Sequence, residues 1–510
     1  METKRNEEAW VLAAAILASS MAFIDGTALN VALPVIQVGL RASGSQLLWI
    51  VNSYLLMLAA LILVGGSLGD RIGRKKVFGT GIVLFTAASC ACGFAPSIGV
   101  LIASRAVQGL GGALMIPGSL SLIAATTAPE RRGRAIGTWS AATTLVTVVG
   151  PALGGVLSDM GLWRAVFLVN LPLGIAALVV LVSKVPESRD ESISGPVDLF
   201  GACLAVAGLA GLTYGFIEAP DFGFGDARVI ASLVLGLCAS FAFVLLERSR
   251  DSPMLPLKLF ASRSFSGANV LTLLLYGGLS AATFFLSLDL VQAQGYTKTQ
   301  AGLAFLPFAF LLTLLSRWAG GRADRLGPRL FLTLGPALVG FGFLVLALPG
   351  ITRGPSAYWT SFFPGIVLFG IGMGLTVAPL TSTVMGAHPP RFSGVASGVN
   401  NAVSRGAGAL AVAILGSLAL FGFASALGSS ANSLGLDAHA RAALMAGASD
   451  LGATLPPPGL AAEIEVAVKA AIASSFAAAF RMVLVCCAAL AFGGSLVAAL
   501  TIGRPAPRPL

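Results

Sequence analysis

Charge is scarce in this chain. Asp, Glu, Lys and Arg together make 11% of 510 residues, and histidine occurs twice. So little charge cannot clothe a water-soluble globule, and with 56% hydrophobic residues and a mean hydropathy of +0.89 the sequence reads as an integral membrane protein. Both histidines, His388 and His439, fall between apolar runs, so neither a histidine metal cluster nor a Ser-His-Asp site can be assembled in the membrane. The absence of a G-x-x-x-x-G-K-[ST] phosphate loop counts against an ATP-driven pump made from this chain alone. No cluster of His, Asp or Glu gathers at one interface, so an enzyme is not expected, nor a cofactor or metal. The six cysteines (Cys90, Cys92, Cys203, Cys238, Cys486 and Cys487) sit within apolar runs without metal or disulfide spacing and are expected to be buried packing residues. No small-residue cleavage site follows the first apolar run, so the first helix is expected to remain.

Long apolar runs are what the chain has in abundance. Fourteen stretches approach the roughly twenty residues needed to cross a bilayer core of about 30 Å as helix. They lie near 10–36, 46–68, 77–95, 99–126, 134–157, 163–183, 198–217, 228–247, 266–290, 300–321, 330–350, 360–385, 395–424 and 476–501. The net charge of +10 resides in short clusters between these runs. That is the pattern of cytoplasmic loops and not of a nucleic-acid surface. With Arg105 set aside as intramembrane, one side of the list carries 23 Lys and Arg, Arg405 among them, and the other carries 8. Both termini are therefore expected in the cytoplasm, in a multi-pass protein of the cytoplasmic membrane.

A basic loop organises the rest. Gly66-Ser-Leu-Gly-Asp70-Arg71-Ile-Gly73-Arg74-Lys75-Lys76 returns 254 residues later as Gly320-Gly-Arg-Ala-Asp324-Arg325-Leu-Gly327-Pro-Arg329. Gly133 and Gly137 likewise correspond to Gly394 and Gly398. A duplicated six-helix bundle follows, with an inserted helix pair: 1–186, then 187–262, then 263–510. Parallel repeats of this kind place a cavity between two halves that rock against each other. The stretch 425–475, rich in Ala, Gly and Ser, is expected to be an extracellular loop with short helices.

Charges in membrane helices are costly and mark function by default. Asp25 lies about fifteen residues into the first helix, roughly 22 Å along it. It is either a site of reversible protonation or a hydrogen-bonded packing acid. Arg105, in Arg105-Ala-Val-Gln108-Gly109-Leu-Gly111-Gly112, stays charged and must face a carboxylate, water or the bundle interior. Gly150-Pro151-Ala-Leu-Gly154-Gly155 kinks the fifth helix and lets it press on a neighbour. Asp289 and Glu218 stand near helix ends, either attracting a cation or solvated at the interface. Asp198 is expected to be an N-cap. Asp70 either caps a helix or pairs with a base across the two halves.

Taken in order, these motifs resemble the drug:proton antiporters of the major facilitator superfamily, in the branch with fourteen helices. Asp25-Gly-Thr27-Ala-Leu-Asn30-Val-Ala-Leu-Pro34 is similar to that branch's first-helix signature, and Gly66 to Lys76 to its conformational-switch loop. Arg105 with Gly109, Gly111 and Gly112 is similar to the fourth-helix motif assigned to proton coupling. Gly150, Pro151, Gly154 and Gly155 resemble the antiporter motif, and Trp163-Arg164-Ala-Val-Phe167-Leu-Val-Asn170-Leu-Pro172 the sixth-helix motif. The resemblance implies an all-α major facilitator fold and proton coupling through Asp25 and Arg105. It also implies a switch loop of Gly66, Asp70, Arg71, Gly73, Arg74 and Lys75. Asn30, Asp289 and Glu218 are the candidate substrate contacts, Asp289 because the branch usually has an aromatic-Leu-Gln there. The expected function is export of amphipathic or cationic compounds in exchange for protons, with no cofactor beyond the proton, no nucleic acid and no obligate protein partner. A dedicated exporter of one metabolite, self-made antibiotic or lipid precursor is the alternative, and a membrane enzyme or receptor the remote one.

Overall fold

The computed structural model describes residues 2–189, 198–250, 253–389 and 392–503, and at 2–6, 129, 130 and 324 the helical backbone alone. Arg391, Arg504 and Arg508 and the side chains of Lys4, Arg5 and Asp324 thus lie outside what is described. Among those described there is no strand, and fourteen helices are long and apolar enough to cross a membrane. The helices that build these spans are α1 (Glu2–Leu40), α2 (Gly44–Ile72), α3 (Arg74–Gly93), α4 (Ile98–Thr126), α5 (Pro129–Asp159), α6 (Asn170–Lys184, which completes the span Ala165–Lys184) and α7 (Leu199–Phe222). They continue as α8 (Ala227–Ser249), α9 (Arg263–Gln292), α10 (Leu306–Leu326), α11 (Pro328–Ala347), α12 (Phe363–Gly386), α13 (Ser393–Ser433) and α14 (Ala462–Thr501). Short helices Ala165–Leu168 and Lys298–Ala304 lead into α6 and α10.

Local chemistry starts and stops these helices. Ser43 and Gln46 form a capping box at α2, and Thr297 and Gln300 another at Lys298–Ala304. Asp198 caps α7 through the Gly201 N–H at 2.8 Å, as expected. The two copies of the basic loop end their first helix alike, with Gly73 at φ 129° and Gly327 at φ 86°. Only glycine adopts such angles freely, which accounts for its presence in both copies.

Apolar side chains are buried between helices or left facing lipid. In α8 only Val229, Gly236 and Glu247 are buried, while Leu235, Leu237 and Phe241 are bare. Its one close seam is with α7, where a Cβ on Gly236 would stand 2.6 Å from the Leu212 nitrogen. The expectation for the cysteines holds only in part. Cys92 and Cys487 are buried, but Cys203 on α7 and Cys238 on α8 are exposed, because those helices turn much of their surface to lipid.

The expected 425–475 loop is largely helix. α13 runs 41 residues to Ser433 and α14 starts at Ala462 and runs 40, each about 60 Å at 1.5 Å per residue, twice the hydrocarbon thickness. Alanine makes this stretch look like linker by complexity, yet it is the strongest helix former, and Leu427, Ala431, Val468 and Ala471 are buried. Between them the short helix Ala438–Ala446 and the 3-10 turn Gly447–Ala453 fold back, and the Asp450 carbonyl accepts from Gln37 Nε2 at 2.9 Å.

The two halves meet at one end of the molecule. At the meeting end Gln292 Nε2 donates to Gln37 Oε1 at 2.8 Å, joining α9 to α1. At the end carrying the basic loops, a Cβ on Gly133, Gly137, Gly386 or Gly394 would meet nothing within 4 Å, and Arg131, Arg132 and Arg134 are exposed.

Candidate functional site

The two charges expected inside the first bundle meet. Asp25 on α1 is wholly buried and Arg105 on α4 is 1% exposed. Arg105 Nη1 donates to Asp25 Oδ2 at 2.5 Å and to Gln108 Oε1 at 2.6 Å, and Arg105 Nε donates to the Ile50 carbonyl at 3.2 Å. Gln108 Nε2 donates to the second Asp25 oxygen at 2.9 Å and reaches Ser89 Oγ at 3.3 Å. Ser89 accepts from Asn170 Nδ2 at 2.9 Å and donates to the Phe167 carbonyl at 2.8 Å. The Arg105 guanidinium also lies 4.4 Å over the Tyr54 ring. A buried guanidinium needs its charge and its donors matched, and this network supplies both. It runs through α1, α2, α3, α4 and α6, so a change at Asp25 is felt by most of the first bundle.

Helix α5 makes the seam between the halves. A Cβ on Gly154 would stand 2.3 Å from the Ala28 carbonyl oxygen of α1, and one on Gly150 would overlap Thr27 Oγ1. The neighbouring Gly155 faces the other way, where a Cβ would lie 2.4 Å from the Lys298 carbonyl oxygen. Gly302 answers with a Cβ position 2.2 Å from the Pro151 carbonyl oxygen. Asp159, at the end of α5, then receives the Lys298 and Thr299 N–H groups at 3.1 and 2.8 Å. One run of residues thus binds α5 to α1 on one face and to the second half on the other.

The basic loop is tied to the segment after α6. Arg74 pairs with Asp70 at 2.8 Å, one turn away, so Asp70 neither caps a helix nor crosses to the other half. Glu187 accepts from the Lys75 and Lys76 N–H groups at 2.9 and 3.2 Å, capping α3, while Lys75 Nζ donates to the Val182 and Val185 carbonyls at 3.1 and 2.7 Å, capping α6. Each charge thus sits at the helix end whose dipole favours it. Glu187 was missed in the sequence because it lies in a polar stretch that reads as linker. Gly66 packs near Pro117 of α4, at 3.7 Å from a built Cβ.

The family model for the Major Facilitator Superfamily matches residues 15–413. The chain belongs to the Major Facilitator Superfamily. Within this superfamily it is 36% identical over 403 residues to the multidrug resistance protein Stp of Mycobacterium tuberculosis, covering 78% of this chain and 73% of that one. It is 32% identical to the tetracenomycin C resistance and export protein of Streptomyces glaucescens, over 78% and 73% of the two chains. With the cephamycin export protein CmcT of Amycolatopsis lactamdurans it shares 35% identity, over 81% and 85%. In fold it is similar to a bacterial homologue of the human lysosomal transporter Spinster, solved inward-facing and unoccupied, with a TM-score of 0.66 at 18% identity over 98% of this chain and 99% of that one.

Three further residues named as substrate contacts stand apart from the Asp25 network. Asp289 is wholly buried in α9, where Gln294 Nε2 donates to it at 3.2 Å and links it to Gly350 and Thr352 beyond α11. It has no open face. Glu218 is half-buried and accepts from Trp49 Nε1 at 2.8 Å, and α7 runs on through Pro220 to Phe222 before turning at Gly223. Asn30 is half-buried, one turn beyond the exposed Gly26, and makes no hydrogen bond among the described residues. These two positions give this superfamily chain an open strip on α1. Tyr54 and Ser89 complete the site without a signal in sequence, since single small polar or aromatic residues in apolar helices are common.

Proposed function

We propose that this protein is a secondary transporter of the cytoplasmic membrane that exports amphipathic organic compounds, drugs among them, in exchange for protons. It is a transporter and not an enzyme, its partners are the bilayer and a small-molecule substrate, and the proton is its only coupling ion. The basic loops and both termini lie in the cytoplasm, so the α5 seam at the opposite end closes the outside. The names of the relatives, which are resistance and export proteins, support export.

The single observation that carries the coupling is the buried Asp25–Arg105 pair. A proton and the guanidinium compete for the same carboxylate. Taking a proton at Asp25 loosens α1 from α4, and restoring the pair expels it. The substrate and the proton must each favour a different arrangement of the halves, since a ligand that binds both states equally shifts neither. Asp70, Arg71 and Arg74 bias one arrangement at the inner surface.

Export of a panel of amphipathic dyes from cells, with the proton gradient intact and collapsed, tests this reading. Wild type should export in a gradient-dependent way, and Asp25→Asn and Arg105→Ala at matched expression should not. Export that survives both substitutions would place the proton elsewhere. Failure with every dye would favour a dedicated exporter of one metabolite.

A further inference from the structure

Arg405 was counted with the basic loop charges, but it lies inside α13, twelve residues past Ser393, about 18 Å along the helix at 1.5 Å per residue. Its neighbours place it at the meeting of the halves. A Cβ on the adjacent Gly406 would stand 4.0 Å from Ala59 of α2, and one on Gly408 would stand 2.8 Å from Ser280 of α9 and 3.9 Å from Leu55 of α2. Leu55 and Ala59 belong to the α2 stretch that also carries Tyr54, whose ring lies 4.4 Å from the Arg105 guanidinium.

Arg405 is half-buried and has no hydrogen bond or ion pair among the described residues. The acids that could answer it are engaged. Asp25 is held by Arg105 and Gln108, Asp70 by Arg74, Asp159 by Lys298 and Glu218 by Trp49, while Asp289 is enclosed with Gln294. Among the described residues Arg405 is therefore a positive charge without an acidic partner, on a group that does not deprotonate. Such a charge within a membrane helix is expensive and is retained where it meets an anion.

We infer that Arg405 is the contact for an acidic group on the transported compound, so that the site selects amphiphiles bearing a carboxylate or an ionised phenol over lipophilic cations. A planar guanidinium binds a carboxylate through two parallel N–H donors, which fixes orientation as well as charge. Tyr54 gives the contact a second consequence. It adjoins Leu55 on α2 and lies beneath the Arg105 guanidinium, so an anion arriving at Arg405 changes the field at the proton site. This inference rests on the transporter reading, and the two can fail separately.

Fluorescein and rhodamine 123 share a xanthene ring and differ in charge, so they form the probe pair. Binding of each to the purified full chain in nanodiscs is compared for wild type, Arg405→Gln and Arg405→Lys, with monodispersity checked for each variant. Fluorescein should bind wild type more tightly than rhodamine 123, weaken at least tenfold in Arg405→Gln and recover in part in Arg405→Lys. Rhodamine 123 should not weaken in either variant. Preference for rhodamine 123, fluorescein binding unchanged in Arg405→Gln, or no binding of either probe would overturn the inference. Uptake into energised inside-out vesicles separates the two readings. Fluorescein bound but not accumulated would sink export and leave the anion site standing. Rhodamine 123 accumulated without fluorescein would do the reverse.

Discussion

Asp159 closes the N-terminus of a helix in the opposite half of the molecule, accepting the Lys298 N–H at 3.1 Å with Lys298 Nζ 3.7 Å away. A carboxylate at a helix start satisfies donors that the helix cannot, and it meets the positive end of the dipole. This cap exists only while the halves are together at that end.

Asp159→Ala should therefore favour parting of that end. Losing an N-cap costs about 0.5–2 kcal/mol, enough to shift a two-state population by roughly twofold to thirtyfold. Spin labels on the outer ends of α5 and α10 would show a longer distance population than in wild type. An unchanged distance distribution would mean that the cap does not hold the seam.

Gly154 and Gly155 are adjacent yet should fail differently. Gly154→Ala drives a methyl into the Ala28 backbone inside the first bundle and should lower the melting temperature. Gly155→Ala drives one into the Lys298 backbone of the other half, and should leave the melting temperature nearly unchanged while exposing outer-end cysteine probes to a membrane-impermeant reagent. Equal melting losses in both would refute this division of labour.

Removing one member of a buried ion pair leaves the other uncompensated, at a cost of about 3–5 kcal/mol. Asp25→Leu and Arg105→Met should each destabilise strongly, and the double variant should be more stable than either single variant, because it leaves neither partner buried alone. Thermal melts of the four proteins in detergent form the cycle. Additive losses would show that the pair is not coupled, and export should be absent in all three variants.

Asp450, outside the membrane helices, has its carboxyl pushed upward, first by burial and then by the nearby Asp221 charge, while Ser449 pulls the other way. A carboxyl whose folded pKa is raised favours the folded cap below its unfolded value, and that contribution is lost as pH rises through the folded pKa. Hydrogen exchange in 447–453, corrected for intrinsic rate, should be slower at pH 4 than at pH 8. Asp450→Asn should flatten the difference, and a dependence that persists in that variant would assign it to another group.

The spans were legible because a bilayer demands a length of apolar residues that few other structures need, and the fourteen runs lie within the fourteen helices apart from a few end residues. The Asp25–Arg105 pair was legible because each is a lone charge in such a run. Its partners were not. Ser89 and Tyr54 reach the network by the packing of separate helices, and nothing in their spacing announces it, while Asn170 stood in the sixth-helix motif without any sign that it met Ser89. Arg405 was misplaced because counting charges along a line ignores depth. The outer segment was misjudged because composition suggested a linker where alanine propensity and buried Leu427 and Val468 made helix.

The α5 seam is made of main chain. Gly155 lies against the Lys298 carbonyl, Gly302 against the Pro151 carbonyl, and Asp159 holds two amide hydrogens. A barrier of side chains would flicker, because rotamers turn over in picoseconds to nanoseconds, whereas whole bundles move in microseconds to milliseconds. Where glycine sets main chain against main chain no rotamer can swing aside, so that part of the barrier does not blink open between cycles, and its lifetime is that of the bundle motion itself.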